Sequence, residues 1–218
     1  MVSILDIIGP VMIGPSSSHT AGANRLARVS RQIYGKPFER VTFHLFGSFA
    51  ATYIGHGTDK ALTAGILGMR EDDVRIRDAD KLAREYGIEV SFKPRGNKTH
   101  EEHDLITAFE KKGEPLFAVA GNSVGGGRIA VTQIDGIRTF ISAGSPTLVL
   151  NHLDENGVIS RVTAVLAENG VNIAAMRTDR QNIGGRAISV LELDCAVGKS
   201  TVEQIRALKE IEKVSEIS

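Results

Sequence analysis

The run Gly14-Pro15-Ser16-Ser17-Ser18-His19-Thr20-Ala21-Gly22 sets four hydroxyls and an imidazole in consecutive positions, just ahead of an apolar-periodic segment. Ser and Thr cap helices by accepting from the first backbone N–H groups, so the run belongs at a helix N-terminus. Open N–H groups and the positive end of the dipole favour a carboxylate or phosphate there, and the hydroxyls add donors. A small anionic metabolite is the expected occupant; spacing alone is satisfied equally by a serine-rich cap with one exposed histidine. A second histidine, His56, lies between glycines in Ile54-Gly55-His56-Gly57-Thr58-Asp59. Glycine backbone freedom would let it approach a ligand or another chain closely, while by itself it reads most simply as a turn histidine in water. The third notable loop is Asn122-Ser123-Val124-Gly125-Gly126-Gly127. Consecutive glycines weaken a strand by roughly 0.5–1 kcal/mol each relative to Ala, which suits a close approach of backbone to something else. Nucleotide binding is the weaker reading of this loop, because no strand-to-helix context and no downstream acid at dinucleotide spacing accompany it.

The elements that must position these loops follow from periodicity. Leu26, Val29 and Ile33, with Arg25, Arg28 and Arg31 between them, predict an amphipathic helix ending near Gly35-Lys36-Pro37. Arg40 to Phe46 alternates as a strand, with His44 inside it as a partly buried strand histidine hydrogen-bonded to backbone. One or two helical turns over Ser48–Tyr53 lead to His56, and Thr58 or Asp59 caps a helix over Lys60–Leu67. The mixed charges of Arg70–Asp78 predict a solvated connection without a chemical role. A short helix over Ala79–Tyr86 and a strand over Ile88–Phe92 come next, then a long polar loop. Its His100-Glu101-Glu102-His103 run lacks a third protein ligand and is read as solvated loop rather than a metal site. From Leu105 to Ala143 short strands joined by Gly turns predict an antiparallel meander. Gly144-Ser145-Pro146 is the expected linker between a domain over residues 1–144 and one over 147–218. The second reads strand 147–153, helix 158–169, strand 171–177, strand 187–194, helix 202–209 and strand 214–217. That is βαββαβ, a ferredoxin-like unit, and it makes the chain α+β.

Composition narrows the function classes. At 218 residues and 42% hydrophobic content the chain can bury a sizeable core, in one large or two small domains. Lys+Arg and Asp+Glu are equal at 26 each, so nucleic acid and anionic membrane surfaces are not expected partners. A single cysteine, Cys195, excludes an internal disulfide framework, and no Cys/His/carboxylate cluster at ligand spacing predicts a metal in this chain. Met1–Asp6 carries an acid where a signal peptide needs basic residues, and no apolar run is long enough to span a bilayer, so a cytoplasmic location is expected.

The three loops in this order, followed by an ACT-like unit, resemble the β subunits of bacterial iron-sulfur-dependent L-serine dehydratases over essentially the whole chain. The resemblance implies a mixed α/β domain of the allosteric-substrate-binding type followed by an ACT domain. It implies further that the complete enzyme converts L-serine to pyruvate and ammonia without pyridoxal phosphate. A [4Fe-4S] cluster ligated by a separate cysteine-rich α subunit would act as Lewis acid on the substrate hydroxyl, while a nearby base removes the α-proton. Carried onto this sequence, His56 is the first choice as base and His19 the second, the latter orienting or shuttling a proton. Ser16, Ser17, Ser18 and Thr20 are expected to hold the substrate carboxylate, with Gly125 and Gly126 in the same site. The tail is similar to ACT domains, which bind amino acids between paired copies. Self-association is therefore expected, with an effector near Asn156, Gly157, Val158 and Asn172. The Asn156-Gly157 turn departs from the usual ACT pattern of proline before glycine. Two other readings stand beside this one: a regulatory anion sensor, as in the similar module of some 3-phosphoglycerate dehydrogenases, and a purely structural assembly partner.

Overall fold

The computed structural model describes residues 10–96 and 103–218. Met1–Asp6 and His100-Glu101-Glu102, on which two of the readings above rest, lie outside the described residues. The chain divides into two compact units, Met1–Asp135 and Gly136–Ser218, so the strand that precedes Gly144-Ser145-Pro146 belongs to the second.

In the first unit the strands lie in the order β2-β1-β3-β4-β5. They are β1 (Arg40–Leu45), β2 (Glu89–Pro94), β3 (Leu105–Glu110), β4 (Phe117–Gly125) and β5 (Arg128–Ile134). The meander β3-β4-β5 is antiparallel, as the Gly-punctuated sequence predicts. The β1–β2 pair is parallel, and such a pair needs a crossover. That crossover is the helical stretch α2 (Gly47–Thr52), α3 (Thr58–Ile66) and α4 (Ala79–Glu85), so the loop bearing His56 lies within it.

Helix α1 (Ala23–Tyr34) buries Ala23, Leu26, Ala27, Val29, Ser30 and Ile33, one face of a 3.6-residue period, and ends at Gly35 in the left-handed region. It packs on β4 and β5 and against α3. The helix–helix contact depends on Gly65: a Cβ there would come within 2.8 Å of Ala27 Cβ and would also press on the Asn24 carbonyl. Asn24, fully buried, donates from Nδ2 to the Ala61 carbonyl at 3.1 Å and fixes the same contact.

Three local expectations are corrected. Gly57, at φ 67°, takes the N-cap position of α3, which has no side-chain cap; this left-handed entry turns Thr58 into the core instead of leaving it at the cap. Arg70–Asp78 is not only a solvated connection. Val74–Asp78 forms a 3-10 helix whose Asp73 cap accepts from Arg75 N at 2.9 Å, and the adjacent Arg75 holds the Asp73 carboxyl down at about 2. Strand residue His44 is hydrogen-bonded to a side chain, not to backbone: the Arg95 guanidinium lies 2.9 and 3.1 Å from His44 Nδ1. Burial and the neighbouring cations Arg95 and Lys93 push the His44 pKa down.

The second unit opens with β6 (Ile137–Ile141) and continues with β7 (Thr147–Leu153), α5 (Val158–Glu168), β8 (Ile173–Arg180), β9 (Arg186–Leu193), α6 (Lys199–Arg206) and β10 (Ile211–Ile217). Strands β7 to β10 form an antiparallel sheet of order β10-β7-β9-β8, the ferredoxin-like arrangement. Leu148, Leu150, Leu191 and Leu193 alternate onto the face covered by Val158, Val162, Leu166, Val202 and Ile205. Strand β8 is the edge, and most of its residues are exposed.

Gly65→Ala should lower the stability of the first unit by about 1–3 kcal/mol, read as a shifted urea midpoint, because its Cβ meets backbone and a packed methyl. Gly198→Ala, in the second unit and with nothing within 4 Å of the new Cβ, should leave that midpoint in place.

Candidate active site

The Ser-rich run does not open an ordinary α-turn. Ser17–Gly22 is one π-helical turn running directly into α1. Ser16, extended at φ −137°, caps it: its Oγ accepts from His19 N at 3.1 Å, and its carbonyl accepts from Thr20 N at 2.9 Å and Ala21 N at 3.3 Å. Such wide turns are rare and frequent at functional sites. The wide turn sends the His19 ring toward Phe49, with centroids 5.1 Å apart, and toward His56, with centroids 5.2 Å apart. The loop between α2 and α3 brings His56 there. His56 N donates to the Thr52 carbonyl, Thr58 N to the Tyr53 carbonyl, and Gly57 supplies the left-handed step into α3. Thr20, 1% exposed, joins the two loops by donating its hydroxyl to the His56 carbonyl at 3.3 Å.

Sequence reasoning missed what holds the turn from below. At a bulge in β4, Ser123 Oγ donates to the Ser18 carbonyl at 3.0 Å, and Ser123 N donates to Asp104 Oδ2 at 3.0 Å. Asp104 N in turn donates to Asn122 Oδ1 at 2.8 Å. Gly22 is required at this crossing, because a Cβ on it would strike Ser123 Oγ. The only signal for Asp104 is one acid among several, after Glu101 and Glu102, at the start of a strand, which spacing cannot distinguish from surface charge.

Electrostatics set the two imidazoles apart. Burial and the facing His56 lower the His19 pKa, while a backbone hydrogen bond at Ser48 and the Asp104 carboxylate oppose them and lose. His19 is therefore neutral at physiological pH. Burial raises the Asp104 carboxyl above its ordinary value, against the Ser123 hydrogen bond and the neighbouring His19 and His103. His19 Nε2 and His56 Nδ1 are both buried without a hydrogen-bond partner, as is Asp59 Oδ1. An unmade bond at a buried polar atom costs about 1–3 kcal/mol, so a pair of them side by side marks a place built for something else to bind.

A cleft of about 520 Å³ opens beside the pair, lined among others by Pro15, Thr20, His56, Asp59, Ile76 and Arg77. Ser16, Ser17 and Ser18 are half-buried on the turn that adjoins it. Gly125, Gly126 and Gly127 form the β4–β5 turn, with φ of 91°, 60° and 74°; they do not line the cleft. Among the described residues, no three His, Cys, Asp or Glu side chains are grouped to hold a metal ion, and no helix is long and apolar enough to cross a membrane.

The family model for the serine dehydratase beta chain matches residues 3–133, and that for the ACT domain residues 147–210. The chain belongs to the serine dehydratase β-chain family. It is 39% identical over 217 residues to the probable L-serine dehydratase beta chain of Bacillus subtilis, covering 99% of this chain and 98% of that protein. Identity to the L-serine dehydratase beta chain of Peptoniphilus asaccharolyticus is 36% over 194 residues, 88% of this chain and 87% of that one. D-3-phosphoglycerate dehydrogenase of Bacillus subtilis is similar at 26% identity, across 88% of this chain but 36% of the dehydrogenase. The serine dehydratase β-chain match covers every residue of the His19, His56 and Ser123 cluster.

Within the ACT domain the four expected effector residues do not converge in one chain. Asn156, Gly157 and Val158 follow the end of β7, beside the end of β8, where Asp154 Oδ2 accepts from Arg180 at 2.9 Å and from Gly184 N at 3.1 Å. Asn172 precedes β8 at the opposite end and donates to Asp194 Oδ2 at 2.7 Å. Within one copy these residues stand at opposite ends of β8, so a ligand touching all four would have to lie between two copies.

Replacing His56 with Ala removes one of the two causes that lower the His19 pKa. The His19 titration midpoint, followed by NMR of the imidazole protons, should move up toward the ordinary histidine value in that variant.

Proposed function

We propose that this chain is the β subunit of a two-subunit L-serine dehydratase, a cytoplasmic lyase that converts L-serine to pyruvate and ammonia together with a cysteine-rich α subunit. The observation that carries the reading is the pair of facing imidazoles with unpartnered buried nitrogens, set against a hydroxyl-rich turn at the head of α1. The family's iron-sulfur cluster takes thiolate ligands, and Cys195, exposed in the ACT domain, is the one thiol of the sequence. These residues do not fit such a cluster, and the proposal places it on the α subunit.

What this chain supplies is grip and proton handling. The serine carboxylate sits against the first turn at Ser16–Ser18, where N–H groups at a helix head favour an anion. His56 takes the Cα proton. It lines the cleft, its glycine-flanked loop brings it to the substrate, and the neutral His19 beside it orients or passes on that proton. With the Cα–H and Cβ–O bonds broken, water leaves and aminoacrylate remains. This tautomerises to the imine, and hydrolysis gives pyruvate and ammonia. Thr20 contributes by locking the two histidine loops together, its hydroxyl being committed to the His56 carbonyl.

For the ACT domain we propose pairing through the exposed edge β8. Antiparallel alignment of two β8 strands sets the start of one beside the end of the other, which brings Asn172 of one copy near Asn156–Val158 of its mate. An amino-acid effector then fits between copies. The similarity to a 3-phosphoglycerate dehydrogenase favours a second reading, in which the Ser16–Thr20 turn binds an anion without turnover.

Anaerobic co-expression with the cysteine-rich partner should yield a brown complex that forms pyruvate from L-serine, while this chain alone is colourless and inactive. In that complex His56→Ala should reduce turnover ~100-fold or more with the colour retained; undiminished turnover would remove His56 from the chemistry and favour the sensing role. Calorimetric titration of the chain with L-serine and other amino acids should give heat that Gly157→Val abolishes; no heat with any of them leaves the ACT domain as a dimerisation unit.

A further inference from the structure

The cluster around His19 contains one acid that neither the hydroxyl-rich turn nor the glycine-flanked loop provides. We infer that Asp104 is a positioning residue of the site: through Ser123 it fixes the turn that carries His19, and it lays a carboxylate within electrostatic reach of that imidazole. The inference deepens the dehydratase reading and rests on it for the reaction, though not for the geometry.

Three hydrogen bonds carry the first half. Asp104 is the residue just before β3, and it is held on both sides by the β4 bulge: its N–H donates to Asn122 Oδ1 at 2.8 Å and its Oδ2 accepts from Ser123 N at 3.0 Å. Ser123, oriented by that second bond, donates from Oγ to the Ser18 carbonyl at 3.0 Å. In an α-helix that carbonyl would accept from Gly22 N; here it accepts from Ala23 N and from Ser123, which belongs with the wide turn. Asp104 is thus connected, by two hydrogen bonds and one residue, to the backbone immediately before His19.

Charge carries the second half. The groups that face His19 are His56 from the α2–α3 loop, the Ser48 backbone from the head of α2, and Asp104 from the start of β3. Those facing Asp104 are His19, His103 and the Ser123 N–H. Burial and His56 both disfavour the imidazolium, and Asp104 is the carboxylate that opposes them. A proton-transfer group works best with a pKa near the operating pH, and without this counter-charge His19 would be driven further from it. The sign is fixed: removing the carboxylate lowers the His19 pKa.

The test uses Asp104→Asn and Ser123→Ala in the full chain. The amide oxygen of Asn can still accept from Ser123 N, so the fold is retained while the charge is lost. NMR titration should then show the His19 midpoint falling relative to the unsubstituted chain. In the reconstituted complex the acid limb of kcat/KM should shift to lower pH in parallel. Ser123→Ala keeps the carboxylate but cuts the tie to Ser18. It should weaken the nuclear Overhauser contact between the His19 and Phe49 rings and raise KM for L-serine about tenfold or more. A folded Asp104→Asn chain with an unmoved His19 midpoint, or a Ser123→Ala chain with unchanged ring contacts and KM, overturns the inference. Because the titration and the ring contacts need no partner and no substrate, a complex that fails to turn over serine while both shifts occur refutes the proposed reaction and leaves the role of Asp104 standing.

Discussion

The first unit depends on one crossing, where the head of α1 passes over the β4 bulge with no room for a side chain on Gly22. The contact of Gly22 with Ser123, and the Ser123 bond to the Ser18 carbonyl, fix the helix to the sheet at the point where the chain leaves regular α geometry. Everything in the site follows from that junction. The π-helical turn decides where His19 points, Thr20 in the same turn decides where the His56 loop sits, and Gly65 further along lets α1 and α3 close beside them. Moving the crossing by one residue would rotate His19 away from His56 by roughly 100° about the helix axis. A glycine at 22 and a serine at 123, distant in sequence, therefore act as one constraint.

Two competing energies meet at the imidazole pair. Burial penalises charge, and the facing His56 penalises it further, so the His19 pKa is lowered despite a carboxylate nearby. The same burial raises Asp104, and charge assistance between His19 and Asp104 does not win over desolvation at either group. A paired, fully ionised His–Asp couple would be an inert structural ion pair. The outcome here is a histidine shifted down and a carboxyl shifted up in one cluster, a pattern that gathers at functional sites.

Much of this was legible in the sequence, for identifiable reasons. The hydroxyl run before an apolar period located the head of α1, the glycine-flanked His56 marked a loop of special backbone, and the alternation of Leu148, Leu150, Leu191 and Leu193 marked the ACT sheet. The family models match the two domains over residues 3–133 and 147–210. What escaped were features set by tertiary contact. The parallel β1–β2 pair leaves no local trace, since β2 alternates whichever way it is paired. The π-turn cannot be told from an α-turn by residue type, and Ser123, which bonds the Ser18 carbonyl within it, lies 105 positions away. Thr58 looked like a cap because Thr caps well, yet Gly57 had already taken the position and the core took Thr58. Asp104 was invisible because its importance lies in what it faces.

The unpartnered nitrogens bear on why such a site would be divided between chains. His19 Nε2 and His56 Nδ1 lie buried in this chain and forgo hydrogen bonds worth about 1–3 kcal/mol each, a cost the fold sustains without any internal compensation at those atoms. Water could repay part of it, but a site filled by mobile water would hold neither histidine in one tautomer. On the proposed reading, a substrate seated against the turn beneath a partner surface that closes the cleft lined by Ile76, Arg77 and Asp59 would supply those bonds and lower the local dielectric. On that reading the unmade bonds would be satisfied only on assembly with substrate, so the groups proposed to move the proton would be set in advance and would reach full electrostatic strength only when the cleft is covered.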